Sequence, residues 1–256
     1  MPGRPVGAEH KGTFDDEYGE FLEGLFRDHS VPGADVYDPY LAALRIRSGD
    51  AALDLGAGTG RLLPSIERCT DRPVALDLSE ALLRRAQRDH PGTPLIAGDA
   101  CLLPFASRAF DHVITWGVWE NVPTPGPAIR EVGRVLRPGG QWLVSGKNLM
   151  HWSSVKLAYY RRKRAALRRL WPEGAPRPLA RRLLPMRIVE KLDNLWPDRD
   201  VPQYPTFFPA FRRQLRASGL ALTRLDQFSG AALSEDERLP QSARSSYYFV
   251  AIARKQ

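Results

Sequence analysis

The chain has 256 residues, 37 of them basic and 29 acidic, with a formal net charge of +8 and a pI near 9.8. Hydrophobic residues at 43% and aromatics at 9% exclude low-hydrophobicity disorder for the bulk of the chain, and the length favours one decorated α/β domain over two equal ones. Two cysteines, Cys69 and Cys101, cannot build a disulfide framework, no Cys/His group has zinc spacing, and no uncharged apolar run reaches the roughly 18 residues of a membrane span.

Residues 1–12 are polar and carry Gly and Pro, which reads as an arm rather than a secretory signal, and a cytoplasmic location is expected. From Phe14 to Phe26 the apolar spacing is helical, and a second helix is predicted from about Asp38 to Arg47, ended by Ser48-Gly49-Asp50. Short apolar runs then alternate with helical stretches. Strands are predicted at Ala51–Leu55, Val74–Leu78, Leu95–Gly98, His112–Trp116 and Gln141–Ser145, with helices near Arg61–Arg68, Glu80–Arg88 and Pro127–Leu136. Five strands alternating with helices indicate a parallel sheet, with Pro138-Gly139-Gly140 as a tight turn into the fifth strand. Residues 147–205 hold Arg-rich segments broken by prolines. A helix around Pro209–Ala217 and strands Leu220–Phe228 and Tyr247–Ala253 follow.

The most informative stretch is Leu53-Asp54-Leu55-Gly56-Ala57-Gly58-Thr59-Gly60-Arg61, a buried strand running into a loop with glycine at every second position. Glycines let backbone approach a ligand closely, and the next helix offers free N–H groups. A dinucleotide fingerprint would need glycine at position 61, which is Arg61, and no Gly-Lys-Ser/Thr marks a P-loop. The second strand ends at Asp77, where a carboxylate can accept both hydroxyls of a ribose, and the third at Gly98-Asp99-Ala100. Ligands of open α/β sheets sit at the carboxyl edge of the strands, so Asp54, Asp77 and Asp99 are expected in one crevice. Three carboxylates suit an uncharged nucleoside with a cationic group and repel phosphates.

These blocks resemble the class I S-adenosylmethionine-dependent methyltransferases, especially the small-molecule branch near the ubiquinone/menaquinone enzymes. The resemblance covers residues 50–146 and rests on LDLGAGTG, VALDLSEALLRRA, AGDACLLPFASRAFDHVITW and REVGRVLRPGGQWLVS. It implies a Rossmann-like seven-stranded α/β sheet, mostly parallel with an antiparallel last strand, plus N-terminal helices and a helical cap insertion. Four parts are implied: an arm and helical lid (1–48), a cofactor-binding core (49–146), a basic cap (147–205) and a C-terminal helix and hairpin (206–256). S-adenosylmethionine is the implied cofactor. The Gly56, Ala57, Gly58 and Gly60 loop would pack against its methionine part, and Asp54 would support its amino group. Asp77 would bind the ribose, Leu78 would pack on the adenine, and Asp99 with the Ala100 backbone would meet the adenine amino group. The Trp116 carbonyl would face the methionine end.

Methyl transfer asks the protein mainly to align donor and acceptor and to exclude water. Gly117–Pro123 should border the methyl group; Glu120 there is a candidate base or substrate anchor, and His151 a second catalytic candidate. Tyr18 and Tyr37 are candidate lid aromatics. No metal is expected.

Residues 147–182 carry 11 basic residues against Glu173 alone, while the remainder carries 26 basic and 28 acidic residues. The excess charge therefore lies on the cap, beside the expected substrate entrance. It suits a solvated helix face, an anionic substrate, an acidic carrier protein presenting a tethered substrate, or a membrane surface. A nucleic-acid methyltransferase is the rival, disfavoured because GVWENVP replaces the Asn/Asp-Pro-Pro-aromatic motif and no RNA-binding module is recognisable. A non-catalytic or cyclising cofactor-binding protein is the second alternative.

Overall fold

A computed structural model describes Asp15, Glu20, residues 38–147, Thr206 and residues 208–227 and 248–256. The described elements run α1 (Asp38–Leu44), β1 (Ala51–Leu55), α2 (Leu63–Glu67), β2 (Arg72–Asp77), α3 (Glu80–Asp89), β3 (Leu95–Ala97), β4 (Phe110–Thr115), a 3-10 turn (Trp119–Asn121), α4 (Pro125–Val135), β5 (Leu136–Lys147), α5 (Phe208–Ala217), β6 (Leu220–Gln227) and β7 (Tyr248–Lys255). The seven strands form one sheet in the order β3-β2-β1-β4-β5-β7-β6. Pairing is parallel from β3 through β5, and β7 runs antiparallel to both β5 and β6. The expected Rossmann-like sheet with an antiparallel last strand is thus what the chain forms. No helix among the described residues is long and apolar enough to cross a membrane.

Period-two alternation divides the strand side chains between two cores. Leu53, Leu55, Val113, Trp142 and Val144 pack with Ile129 and Val132 of α4 and Phe211 and Leu215 of α5. The opposite face sets Ala52, Ile114, Leu143 and Ile252 against Leu41 and Leu44 of α1 and against Leu62 and Ile66. Trp142 is fully buried and donates its indole N–H to Thr115 Oγ1 at 3.0 Å, which resolves the cost of burying that polar atom. Ser79 caps α3, accepting from the Leu82 N–H at 3.2 Å. The strand order reverses between β1 and β4, and such a switch point opens a crevice at the carboxyl edge.

The structure differs from the sequence-based expectation at β5. Pro138-Gly139-Gly140 is not a turn leading into the strand; the strand begins at Leu136 and carries these residues as a bulge. Pairing with β4 steps from Phe110↔Leu136 to His112↔Gln141 across it. A side chain on Gly140 would lie 2.8 Å from the Asp111 carbonyl oxygen, so only glycine lets the two backbones close here. The helix expected over Arg61–Arg68 shrinks to Leu63–Glu67, because Arg61 and Leu62 still belong to the turn that leaves the glycine loop. The helix expected at Phe14–Phe26 and the basic cap lie outside the described residues apart from Asp15, Glu20 and Lys147, and Tyr18, Tyr37 and His151 lie outside them altogether.

Candidate active site

The crevice is built on the ends of β1 and β2 and the loop between β1 and α2. Asp54 is the penultimate residue of β1, and its side chain is buried on the α1 face. Its Oδ2 has no hydrogen-bond partner among the described residues. Burial, reinforced by the neighbouring Asp77 carboxylate, pushes the Asp54 carboxyl up to about 8. Asp77 closes β2 and is also buried; its Oδ2 accepts from the Gly58 N–H and its Oδ1 from the Ser79 N–H, both at 2.8 Å. Burial raises its pKa, and the backbone donors at Ser79, Gly58 and Leu78 oppose that shift.

The start of the loop is tied to β2. The Gly56 and Ala57 N–H groups donate to the Leu76 carbonyl at 2.7 and 3.1 Å. Gly56 has φ +85, and a Cβ there would lie 2.5 Å from Val118 Cγ1, so the segment after β4 seats directly on the loop. Because Asp77 takes the Gly58 N–H, the loop does not offer that donor to a phosphate. A buried carboxylate with one oxygen unpartnered among the described residues, coupled to a second carboxylate, calls instead for a cation. The donor set therefore fits a nucleoside that carries a positive group, as S-adenosylmethionine does.

Asp99 lies just beyond β3, the strand paired with β2, and its Oδ1 accepts from the Cys101 N–H at 2.8 Å. Leu78 and Ala100 are half-buried beside these carboxylates in sequence. Trp116 follows β4, and Gly117 donates its N–H to Ser145 Oγ at 2.9 Å. Glu120 is buried in the 3-10 turn. Cys101 has its thiol pushed up to about 11 by burial and Asp99, which removes it as a nucleophile near neutral pH. His112 is buried in β4 with Nε2 3.1 Å from Asp50 Oδ2, away from the carboxyl edge of the sheet.

Tyr40 of α1 packs beside Trp116, a contact that no sequence pattern marks. Its ring lies 5.5 Å from Trp116 and 5.3 Å from the Arg224 guanidinium, and burial with nearby Asp226 pushes its hydroxyl up to about 12. Helical spacing accounts for Leu41 and Leu44 on the core side of α1 but gives no sign of which strand end meets Tyr40. Val118 belongs to the segment expected near the methyl group, yet its contact with Gly56 depends on tertiary packing.

Residues 53–144 match the family described as "Methyltransferase domain". The chain is 33% identical over 153 residues to the demethylmenaquinone methyltransferase of Renibacterium salmoninarum, covering 59% of this chain and 62% of that protein. It is 34% identical over 161 residues to the enzyme of the same name from Mycobacterium bovis, covering 62% and 65%. The chain thus spans less than two thirds of the length of these relatives. A solved S-adenosylmethionine-dependent methyltransferase from Mesorhizobium loti superposes with a TM-score of 0.61 at 20% identity, covering 88% of this chain and all of that one, a likeness of fold.

Proposed function

We propose that this chain, whose residues 53–144 match the methyltransferase-domain family, is a class I S-adenosylmethionine-dependent methyltransferase that methylates a small-molecule acceptor. The observation that carries the reading is the buried Asp54–Asp77 pair around a glycine loop whose central N–H is already taken, an arrangement that welcomes a cationic nucleoside. When bound, S-adenosylmethionine supplies an electrophilic methyl group on its sulfonium. In this reading Asp54 holds the positive methionine end, Asp77 the ribose hydroxyls, Leu78 the adenine face, and Asp99 with Ala100 the adenine edge. Gly56, Ala57, Gly58 and Gly60 let backbone approach the methionine chain, and Trp116 borders it. Residues 1–48 serve as arm and lid, 49–146 as cofactor core, 147–205 as acceptor cap and 206–256 as completion of the sheet. The demethylmenaquinone relatives make a quinol ring the first acceptor to try, and the basic 147–182 segment favours an anionic acceptor or an acidic carrier protein.

The test is incubation of the full chain with methyl-labelled S-adenosylmethionine and separate acceptors: a demethylmenaquinone-type quinol, anionic phenols, transfer RNA and duplex DNA. Label in a small molecule with matching S-adenosylhomocysteine supports the reading. Label confined to nucleic acid overturns it, as does cofactor binding with no transfer to any acceptor.

Proton linkage gives a second check. The Asp54 carboxyl, raised to about 8, is mostly protonated at pH 7, and a bound ammonium favours its ionised form. Binding of S-adenosylhomocysteine at pH 7 is therefore expected to release a proton, and affinity to rise as pH climbs towards 8. Calorimetry in two buffers of different ionisation enthalpy reads this directly; equal heats would remove Asp54 as the cation's partner. Folding stability runs the other way: the unfolded carboxyl ionises near 4 and the folded one near 8, so this group's contribution declines as pH rises between those values.

Glu120 is proposed as the base or acceptor anchor and His151 as a second catalytic group. Glu120→Gln is expected to lower turnover about a hundredfold, the lower end of the range for general-base loss, while S-adenosylhomocysteine affinity stays unchanged. Wild-type turnover in that variant would remove Glu120 from the chemistry.

A further inference from the structure

Behind the glycine loop lies a second group of polar side chains that the proposed chemistry leaves unused. Gly60, with φ +82, forms the far corner of the loop; its N–H donates to the Ala57 carbonyl at 2.9 Å and its carbonyl accepts from the Leu63 N–H at 3.0 Å. A Cβ on Gly60 would lie 2.9 Å from His90 Cδ2 and 3.1 Å from Ala86 Cβ, so the end of α3 presses directly on this backbone. His90 caps α3 and is only 9% exposed. Its Nδ1 stands 3.0 and 3.1 Å from the two oxygens of Glu67, the last residue of α2. The same carboxylate accepts from Thr93 Oγ1 at 2.6 Å, just before β3. A carboxylate can only accept, so the His90 proton sits on Nδ1 and the ring orientation is fixed.

We propose that Glu67, His90 and Thr93 form a positioning cluster that sets the Gly60 corner of the cofactor loop from behind. Glu67 ties the helix leaving the loop to the helix that buttresses it. His90 carries that tie into contact with Gly60. With the carboxylate removed, the ring is no longer held against the glycine and the loop samples more backbone conformations. Cofactor binding must then order the loop, and affinity falls. The three residues act through Gly60, as positioning residues rather than ligands of the cofactor.

This assignment rests on the cofactor role proposed for the Gly56–Gly60 loop, and the experiment separates the two. The probe is S-adenosylhomocysteine, titrated calorimetrically against wild type, Glu67→Ala, His90→Ala and Glu67→Gln at a temperature well below each melting transition. Failure of the wild type to bind would sink the cofactor role itself. With wild-type binding in hand, Glu67→Ala and His90→Ala are each expected to weaken it about tenfold, the scale of one lost charge-assisted hydrogen bond. Glu67→Gln keeps an acceptor oxygen and is expected to stay within about threefold of wild type. Amide hydrogen exchange over residues 56–63 of the ligand-free chain should quicken in the two alanine variants and not in Glu67→Gln. Lowered melting temperatures with unchanged affinity and exchange would reduce the cluster to a structural tie and overturn the proposal. A Glu67→Gln variant as impaired as Glu67→Ala would overturn it too.

Discussion

Gly56→Ala is expected to weaken S-adenosylhomocysteine binding about a hundredfold and to lower the melting temperature as well. Two penalties add at this position. The backbone sits at φ +85, where a Cβ costs about 1–2 kcal/mol. The new methyl would also lie 2.5, 2.6 and 2.9 Å from three Val118 carbons, closer than packed atoms approach, and overpacking of that kind costs about 1–3 kcal/mol. Together these reach about 3 kcal/mol, which is about two decades in affinity if the displaced loop is the binding element. The parts can be separated. Val118→Ala in the Gly56→Ala background removes the two colliding γ carbons and should recover about tenfold, leaving the backbone penalty and the 2.9 Å approach to the remaining Cβ. Gly58→Ala is the control: φ is +56 but no atom lies within 4 Å of its would-be Cβ, so only the backbone cost applies. Equal losses at Gly56 and Gly58 would mean that Val118 does not seat on the loop in solution.

The contrast between Gly56 and Gly58 is also one that no sequence pattern carries. The strands were legible because buried parallel strands are continuous apolar runs; Ala51–Leu55 matches residue for residue, while the other strands overlap their expected runs with shifted ends, as in Arg72–Asp77 and Phe110–Thr115. Asp54 and Asp77 were legible because a carboxylate at the end of such a run has few structural reasons to be there. What each glycine faces was not, since Val118 is 62 positions from Gly56 and reaches it only because β4 lies beside β1. The same limit hid Tyr40 beside Trp116 and the Glu67–His90 tie, which links the ends of α2 and α3. Pro138-Gly139-Gly140 was misread because a turn and a wide bulge make the same local demand for glycine. Only the pairing of Phe110 with Leu136 upstream of it tells them apart.

Asp77→Ala should cost at least tenfold in S-adenosylhomocysteine affinity, and Asp77→Asn nearly as much, although Asn is isosteric. The wild-type carboxylate accepts from Gly58 on one oxygen and from Ser79 on the other, so both of its ends face backbone donors. An amide has one acceptor end; its NH2 would confront either the Gly58 or the Ser79 N–H, leaving a buried donor unsatisfied at a cost of about 1–3 kcal/mol. If Gly58 is the group abandoned, the loop loses its central hold as well as a ribose acceptor. The variants also report on Asp54. Asp77 is one of the two causes that raise the Asp54 carboxyl, so neutralising it lets that pKa fall while burial still holds it above the usual range. Proton release on binding at pH 7 should shrink in Asp77→Asn, and the rise of affinity with pH should move to lower pH. A purely local loss of ribose contacts would lower affinity by the same factor at every pH. Calorimetric titrations of both variants between pH 6 and 9 distinguish the outcomes, and a parallel displacement of the wild-type curve would uncouple the two carboxylates.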